Sequence, residues 1–208
     1  MTVIPASDRS LLLSFGDEIS PETHRAVLGM MRLLQDLPEA RNLHPAYASI
    51  LVDFDPLAIS HARMEAALRA LDARRQEVAL PEPRCLAIPV RYDGPDLADV
   101  AALNGLAVEE VVRIHSSAEY LVYFLGFSPG FPYLGGLPRA IATPRLPSPR
   151  KHVPAGSVAI GGDQTGVYPL ASPGGWRIIG RTELKLFDPE RNPPALLAMG
   201  DRVRFVAA

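Results

Sequence analysis

The sequence predicts a small α+β layer domain followed by a mainly-β barrel domain, and three observations carry that expectation. The first eighty residues alternate short apolar runs with two amphipathic stripes at helical spacing. The chain's 21 prolines and 16 glycines are weighted to the second half, where short apolar runs lie between turn signals. Between the halves, Pro81-Glu82-Pro83 forces an extended connector. The expected limits are residues 1–80 for the first domain, 81–84 for the linker and 85–208 for the second domain.

In the first domain Ser10–Phe15 reads as a buried strand. Ser20 then offers a cap, Pro21 suits the first helical position, and Glu22 complements the positive helix end. Val27, Met30, Met31 and Leu34 follow on one stripe, and Pro38 stops the helix. Ala46–Phe54 is the second expected strand. Met64, Ala67, Leu68 and Leu71 mark a second helix that Ser60 caps. The order β-α-β-α places helices over one sheet face. His24, His44 and His61 stand singly in polar surroundings and read as solvated surface groups.

In the second domain Cys85–Tyr92 reads as a strand whose Pro89 points to an edge or a bulge. Two short helices, Leu97–Asn104 and Val108–His115, are separated by Gly105. Strands are then expected at Tyr120–Leu125, Ser157–Ile160, Val167–Ala171, Trp176–Ile179, Leu184–Phe187 and Val203–Val206. Many short strands with little helix argue for a closed or nearly closed barrel.

Composition excludes several classes of function. A net charge of −2, with 48% hydrophobic and 21% charged residues, gives no general attraction to nucleic acid or to a membrane. The single Cys85 rules out an intrachain disulfide framework and fits a reducing compartment. No basic leader is evident, and no apolar stretch nears the ~18 residues of a membrane helix. A soluble cytoplasmic protein is expected.

The densest signal runs from Phe124 to Thr182, where loops on short strands gather polar groups. Gly126-Phe127-Ser128-Pro129-Gly130 matches the G-x-S-x-G pattern of a nucleophile elbow, but that device needs a helix after the serine and the next residue's N–H. Pro129 has no N–H, so Ser128 is rejected as a nucleophile. There is no phosphate loop, no dinucleotide fingerprint and no zinc-ligand pattern. Asp163 with Gly161, Gly162 and Gly166 makes either an anion cradle or a tight hairpin. His115, in the last turn of a helix, is either a general base or a packed residue. Arg150 and Lys151 are either an anion contact or a solvated basic loop. Gln164, Thr165 and Tyr168 suit an amide-like ligand. Trp176 reads as a barrel core residue rather than a stacking platform.

The stretches HSSAEYLVYFLGFSPGFPYLGGLP, PRKHVPAGSVAIGGDQTGVYPLASPGGW, IGRTELKLFDP and GDRVRF, in that order, closely resemble the family of the 5-oxoprolinase B subunit. That family also holds the first-subunit type region of allophanate hydrolase and urea carboxylase, and an inhibitor of a sporulation histidine kinase. The match is dense over the second half, whereas the first eighty residues agree in layout only. Ser172 is a small departure, standing where the family pattern has Thr.

The resemblance implies a cyclophilin-like barrel and a role in an ATP-dependent complex, with C and A subunits, that opens 5-oxo-L-proline to L-glutamate. ATP with Mg would enter at the level of the complex, and no metal is expected on this chain. The implied catalytic residues are His115 and Arg150, the latter holding phosphate. The implied substrate contacts are Gln164, Thr165, Tyr168, Gly130, Phe131 and Tyr133. Gly161, Gly174 and Gly175 would let a nucleotide approach the backbone. The alternatives are a kinase-binding role, with Phe127, Phe131 and Tyr133 docking on a helix, and a component of the urea carboxylase or allophanate hydrolase type.

Overall fold

The computed structural model describes residues 1–208, which divide into two compact units, Met1–Glu82 and Pro83–Ala208.

The first unit holds β1 (Thr2–Ser7), β2 (Ser10–Ser14), α1 (Pro21–Leu34), β3 (Ala40–Pro45), β4 (Ser49–Phe54) and α2 (His61–Arg74). Its four-stranded sheet is antiparallel in the order β1-β2-β4-β3. The expected order β-α-β-α is therefore corrected to β-β-α-β-β-α. Both strands absent from the sequence reading are edge strands with little apolar alternation, ARNLHP in β3 and a mostly exposed TVIPAS in β1. Ala46–Ala48 belong to the connection before β4, where the Ala46 N–H donates to the Ser49 carbonyl.

Ser20 Oγ accepts the Thr23 N–H at 3.1 Å and Ser60 Oγ accepts the Arg63 N–H at 3.4 Å, so each helix starts on a serine cap. Leu11 and Leu13 of β2 and Ile50, Val52 and Phe54 of β4 bury one sheet face, together with Val27, Met30, Met64 and Leu68 of the helices. His24 is a correction. It lies three residues before Val27 on the buried stripe of α1 and is 4% exposed. His61 is tied to the Asp8 carbonyl, and His44 stays in solvent beside Asp53.

The second unit begins with β5 (Cys85–Val90), α3 (Leu97–Asn104), α4 (Val108–Ser117), β6 (Tyr120–Leu125) and β7 (Pro132–Gly135). It continues with β8 (Arg150–Val153), β9 (Ser157–Gly161), β10 (Gln164–Val167), β11 (Ser172–Gly174), β12 (Arg177–Arg181) and β13 (Arg202–Ala207). Seven strands form one sheet in the order β12-β9-β10-β7-β6-β13-β5, all antiparallel except β13 with β5. The sheet curls on itself. Arg91, just past β5, exchanges two 2.9 Å backbone hydrogen bonds with Arg181 at the end of β12. A nearly closed mixed barrel results, and Pro89 sits in β5 at its seam. The ribbon of β8 and β11 stands apart from it.

The barrel core is mainly aliphatic, with Ile88, Val122, Leu134, Val158, Ile160, Val167, Ile179 and Val203 all inaccessible beside the rings of Tyr120 and Phe205. Helices α3 and α4 add Val100 and Val111 and pack on β12 and β13. Three expected strands move. The ladder of β10 ends at Val167 rather than running to Ala171, and β12 starts at Arg177 and reaches Arg181. Leu184–Phe187 has no ladder beyond a single bridge from Phe187 to Ala195, although Leu186 is buried. An apolar run can bury its side chains without pairing its backbone in a sheet. No helix is long and apolar enough to cross a membrane.

Candidate functional site

The connection from β6 to β7 is built of two nested turns. The Ser128 N–H donates to the Gly126 carbonyl at 2.7 Å across Phe127, which has φ 64. That is a γ-turn with positive φ, a rare and strained form for a bulky residue. Next, the Phe131 N–H donates to the Ser128 carbonyl at 3.0 Å, with Pro129 and Gly130 between them and Gly130 at φ 76. Proline at the second position and a positive-φ glycine at the third define a type II turn. No helix follows Ser128, which is what a nucleophile elbow would need.

These turns leave Phe127 63% exposed while driving Phe131 into an aromatic cluster. The Phe131 ring meets Phe127, Tyr133, Tyr168 and Trp176 at centroid distances of 5.3, 5.4, 5.4 and 5.7 Å, all close to edge-to-face. The rings line a cavity of about 140 Å³ together with Arg145 and the Pro173-Gly174-Gly175 segment. A groove of about 550 Å³ runs along the barrel seam near Arg91 and Arg181, but both of those cations are paired with Asp93. The smaller aromatic cavity is the better candidate because it joins enclosing rings to an uncompensated cation.

Two of the predicted glycines serve these rings. A Cβ on Gly161 would lie 2.5 Å from the Trp176 ring, and one on Gly174 would overlap the Tyr168 hydroxyl. Expected as nucleotide contacts, both stand where a ring needs the space. Gly175 lines the cavity with more room, its nearest neighbour being Pro149. The Gly161–Gln164 connection is a two-residue hairpin with Gly162 at φ 70. The Gly162 N–H already donates to the Thr143 carbonyl at 2.8 Å, so the anion-cradle alternative lacks that donor.

His115 and Thr165 are also corrected, since both are fully buried. Thr165 Oγ1 donates to the Ala159 carbonyl at 3.0 Å and therefore accepts from His115 Nε2 at 2.9 Å. His115 Nδ1 is left to accept from the Tyr92 hydroxyl at 2.8 Å. The imidazole is stacked on Phe205 with centroids 4.5 Å apart. Burial holds its pKa down at about 3, so it stays neutral and touches no accessible space. It is a packed residue of the barrel interior, among Tyr92, Tyr120 and Phe205.

Arg150 is a third correction. Its Nη2 donates to Asp96 Oδ1 at 2.7 Å, and the Asp96 side chain is 5% exposed. The other Asp96 oxygen accepts the Ile178 N–H at 2.7 Å. Arg150 thus neutralises a buried carboxylate instead of presenting a free cation. Of the remaining predicted residues, Phe131, Tyr133 and Tyr168 line the cavity. Gly130 shapes the turn against Phe187, and Gln164 starts β10 away from the lining. Burial raises the Tyr168 pKa despite its bond to the Trp176 backbone and the nearby Arg145 and Arg150, so it offers a neutral hydroxyl.

Sequence reasoning missed Arg145. Its guanidinium lies over the Trp176 ring, 5.7 Å from the centroid, and it has no carboxylate partner. The signal was a second arginine in the same proline-bounded loop, Pro144–Arg150, of which only Arg150 drew notice. Trp176 is both a packed residue, 6% exposed, and part of the lining.

The family model for the carboxyltransferase domain, subdomain C and D, matches residues 1–197. The 5-oxoprolinase B subunit of Escherichia coli O157:H7 is 46% identical over 96% of this chain and 92% of its own length. Among solved structures, TTHA0988 superposes with a TM-score of 0.85 at 42% identity, over 96% of this chain and 40% of that longer one. The urea carboxylase of Kluyveromyces lactis shares the fold, with a TM-score of 0.75 at 19% identity over all of this chain and 23% of that one. The chain belongs to the family of carboxyltransferase domain, subdomain C and D, proteins that includes the 5-oxoprolinase B subunits.

Proposed function

We propose that this chain is the B-type component of an ATP-dependent 5-oxoprolinase, a cytoplasmic complex with C and A subunits that opens 5-oxo-L-proline to L-glutamate. The observation that carries the reading is the size and character of the aromatic cavity. About 140 Å³, against roughly 30 Å³ per water molecule, suits one small ring and is far too small for a nucleotide. Phe131, Tyr133 and Tyr168 would hold the lactam, with Gly130 shaping the wall and Gly175 leaving backbone within reach. ATP with Mg would be held by the assembled complex, since this chain carries no phosphate loop.

The chemistry explains why a partial site suffices. A lactam carbon is a poor electrophile, and transfer of the ATP γ-phosphoryl group to its oxygen makes the ring carbon open to water. Catalysis then rests on positioning and on stabilising charge. The Tyr168 hydroxyl, kept protonated by burial, is suited to donate toward the lactam oxygen. The test is ADP release on adding 5-oxo-L-proline to this chain alone and with its two partner subunits. Release only in the mixture, with glutamate formed, is expected; no release in any mixture would sink the reading.

A second reading is favoured by Phe127, which is strained, 63% exposed and beside the cavity. Such a ring is suited to dock on a helix of a histidine kinase. Inhibition of kinase autophosphorylation by this chain would support it.

A further inference from the structure

We propose that Arg145 is the specificity-determining residue of the aromatic cavity, selecting small flat rings that carry a carboxylate. The proposal rests on the substrate class given above and names the group that reads it. Among the charged side chains of this face, Arg150 pairs with Asp96 and Arg177 with Asp99, whereas Arg145 has no acidic partner. No acid lines the cavity, so its one lining cation is uncompensated. Its field favours an anion, disfavours a cationic ring and gives a neutral ring no such gain.

The geometry of Arg145 supports the same choice. The guanidinium lies over the Trp176 ring, and its N–H fork, which matches a carboxylate bidentately, makes no hydrogen bond within the chain. The Trp176, Phe131 and Tyr168 rings supply apolar walls for the body of the ligand.

Trp176 is the chain's only tryptophan, so emission excited selectively at the indole, away from the tyrosine band, reports this cavity. The full chain is titrated with 5-oxo-L-proline and with 2-pyrrolidinone, the same lactam without its carboxylate. Saturable change with 5-oxo-L-proline is expected, with markedly weaker binding of 2-pyrrolidinone. Arg145→Ala should weaken 5-oxo-L-proline about tenfold or more, Arg145→Lys should recover part of the loss, and neither should alter 2-pyrrolidinone binding. Arg145 is exposed, so unchanged melting of both variants is expected and checks that the fold is intact.

Equal weakening of both lactams, or no effect of Arg145→Ala, would overturn the role of Arg145. Absence of a Trp176 response to 5-oxo-L-proline, L-proline and 2-furoate alike would overturn the site. An Arg145-dependent response to 2-furoate but not to 5-oxo-L-proline would keep the site and remove the oxoprolinase reading. Binding of 5-oxo-L-proline without substrate-dependent ADP release in the reconstituted mixture would keep the site and remove only the ATP-linked reaction.

Discussion

His115 Nε2 and Thr165 Oγ1 lie 2.9 Å apart inside the barrel, and the direction of that hydrogen bond is set by its neighbours. The threonine hydroxyl has only one proton, and the Ala159 carbonyl takes it. The imidazole therefore carries its proton on Nε2 and accepts from Tyr92 at Nδ1.

That arrangement makes the barrel sensitive to acid. The folded pKa of His115 is about 3, below its ordinary 6.5, so the unfolded chain binds the proton first as pH falls. The stability it confers is fully present above pH 6.5 and is lost progressively toward pH 3, at no more than about 1.4 kcal/mol per pH unit. Urea unfolding at pH 7.5 and 4.5 should show a loss of about 2–3 kcal/mol that is absent in His115→Gln. Equal acid losses in the two proteins would show that other groups set the dependence.

Arg150→Ala is expected to destabilise the second unit. Its removal leaves the Asp96 carboxylate, 5% exposed, with only the Ile178 N–H for compensation. Losing one partner of a buried pair costs about 3–5 kcal/mol, reduced here to about 1–3 because the Arg150 side chain is 30% exposed. Thermal melting checks it. Loss of ADP release with an unchanged melt would instead make Arg150 a ligand contact.

The parts of the fold legible in the sequence were those where pattern and burial coincide. The α1 stripe of Val27, Met30 and Leu34 and the runs of β6 and β9 have core-facing side chains and clear boundaries. The strands β1, β3, β8 and β11 lie at edges or in a ribbon, where few side chains are buried and no alternation marks them. At the site, Tyr168 was legible through its hydroxyl, whereas Phe131 and Tyr133 came only with the family resemblance. Pairing partners were invisible. Whether Arg145 or Arg150 is free depends on Asp96, 54 residues away from Arg150 in the chain, and on the 50-residue step from His115 to Thr165 rests the difference between a base and a core residue.

Gly161→Ala tests whether the glycine floor sets the position of Trp176. The added Cβ would lie 2.5 Å from the indole, so the ring has to move or the strand has to shift. Overpacking of this kind costs about 1–3 kcal/mol. A red-shifted Trp176 emission and weakened 5-oxo-L-proline binding are expected together. Unchanged emission would mean that β9 absorbs the strain and that Gly161 does not govern the cavity.

Phe127→Gly separates stability from function. A bulky residue at φ 64 costs roughly 1–2 kcal/mol, which glycine relieves, while glycine's larger unfolded-state freedom offsets about 0.5–1 kcal/mol of that gain. Little packing is lost, since Phe127 is 63% exposed and meets Phe131 and Tyr168 only at ring centroid distances of 5.3 and 6.4 Å. Unfolding stability should therefore stay within about 1 kcal/mol of the parent or rise slightly. If the exposed ring covers bound ligand or docks on a partner, the same variant should lose ligand affinity or complex formation. Persistence of strain in a residue the fold does not need is the signature of a group held for a contact outside the fold. A variant with intact stability, intact affinity for 5-oxo-L-proline and intact assembly would deny Phe127 any such role.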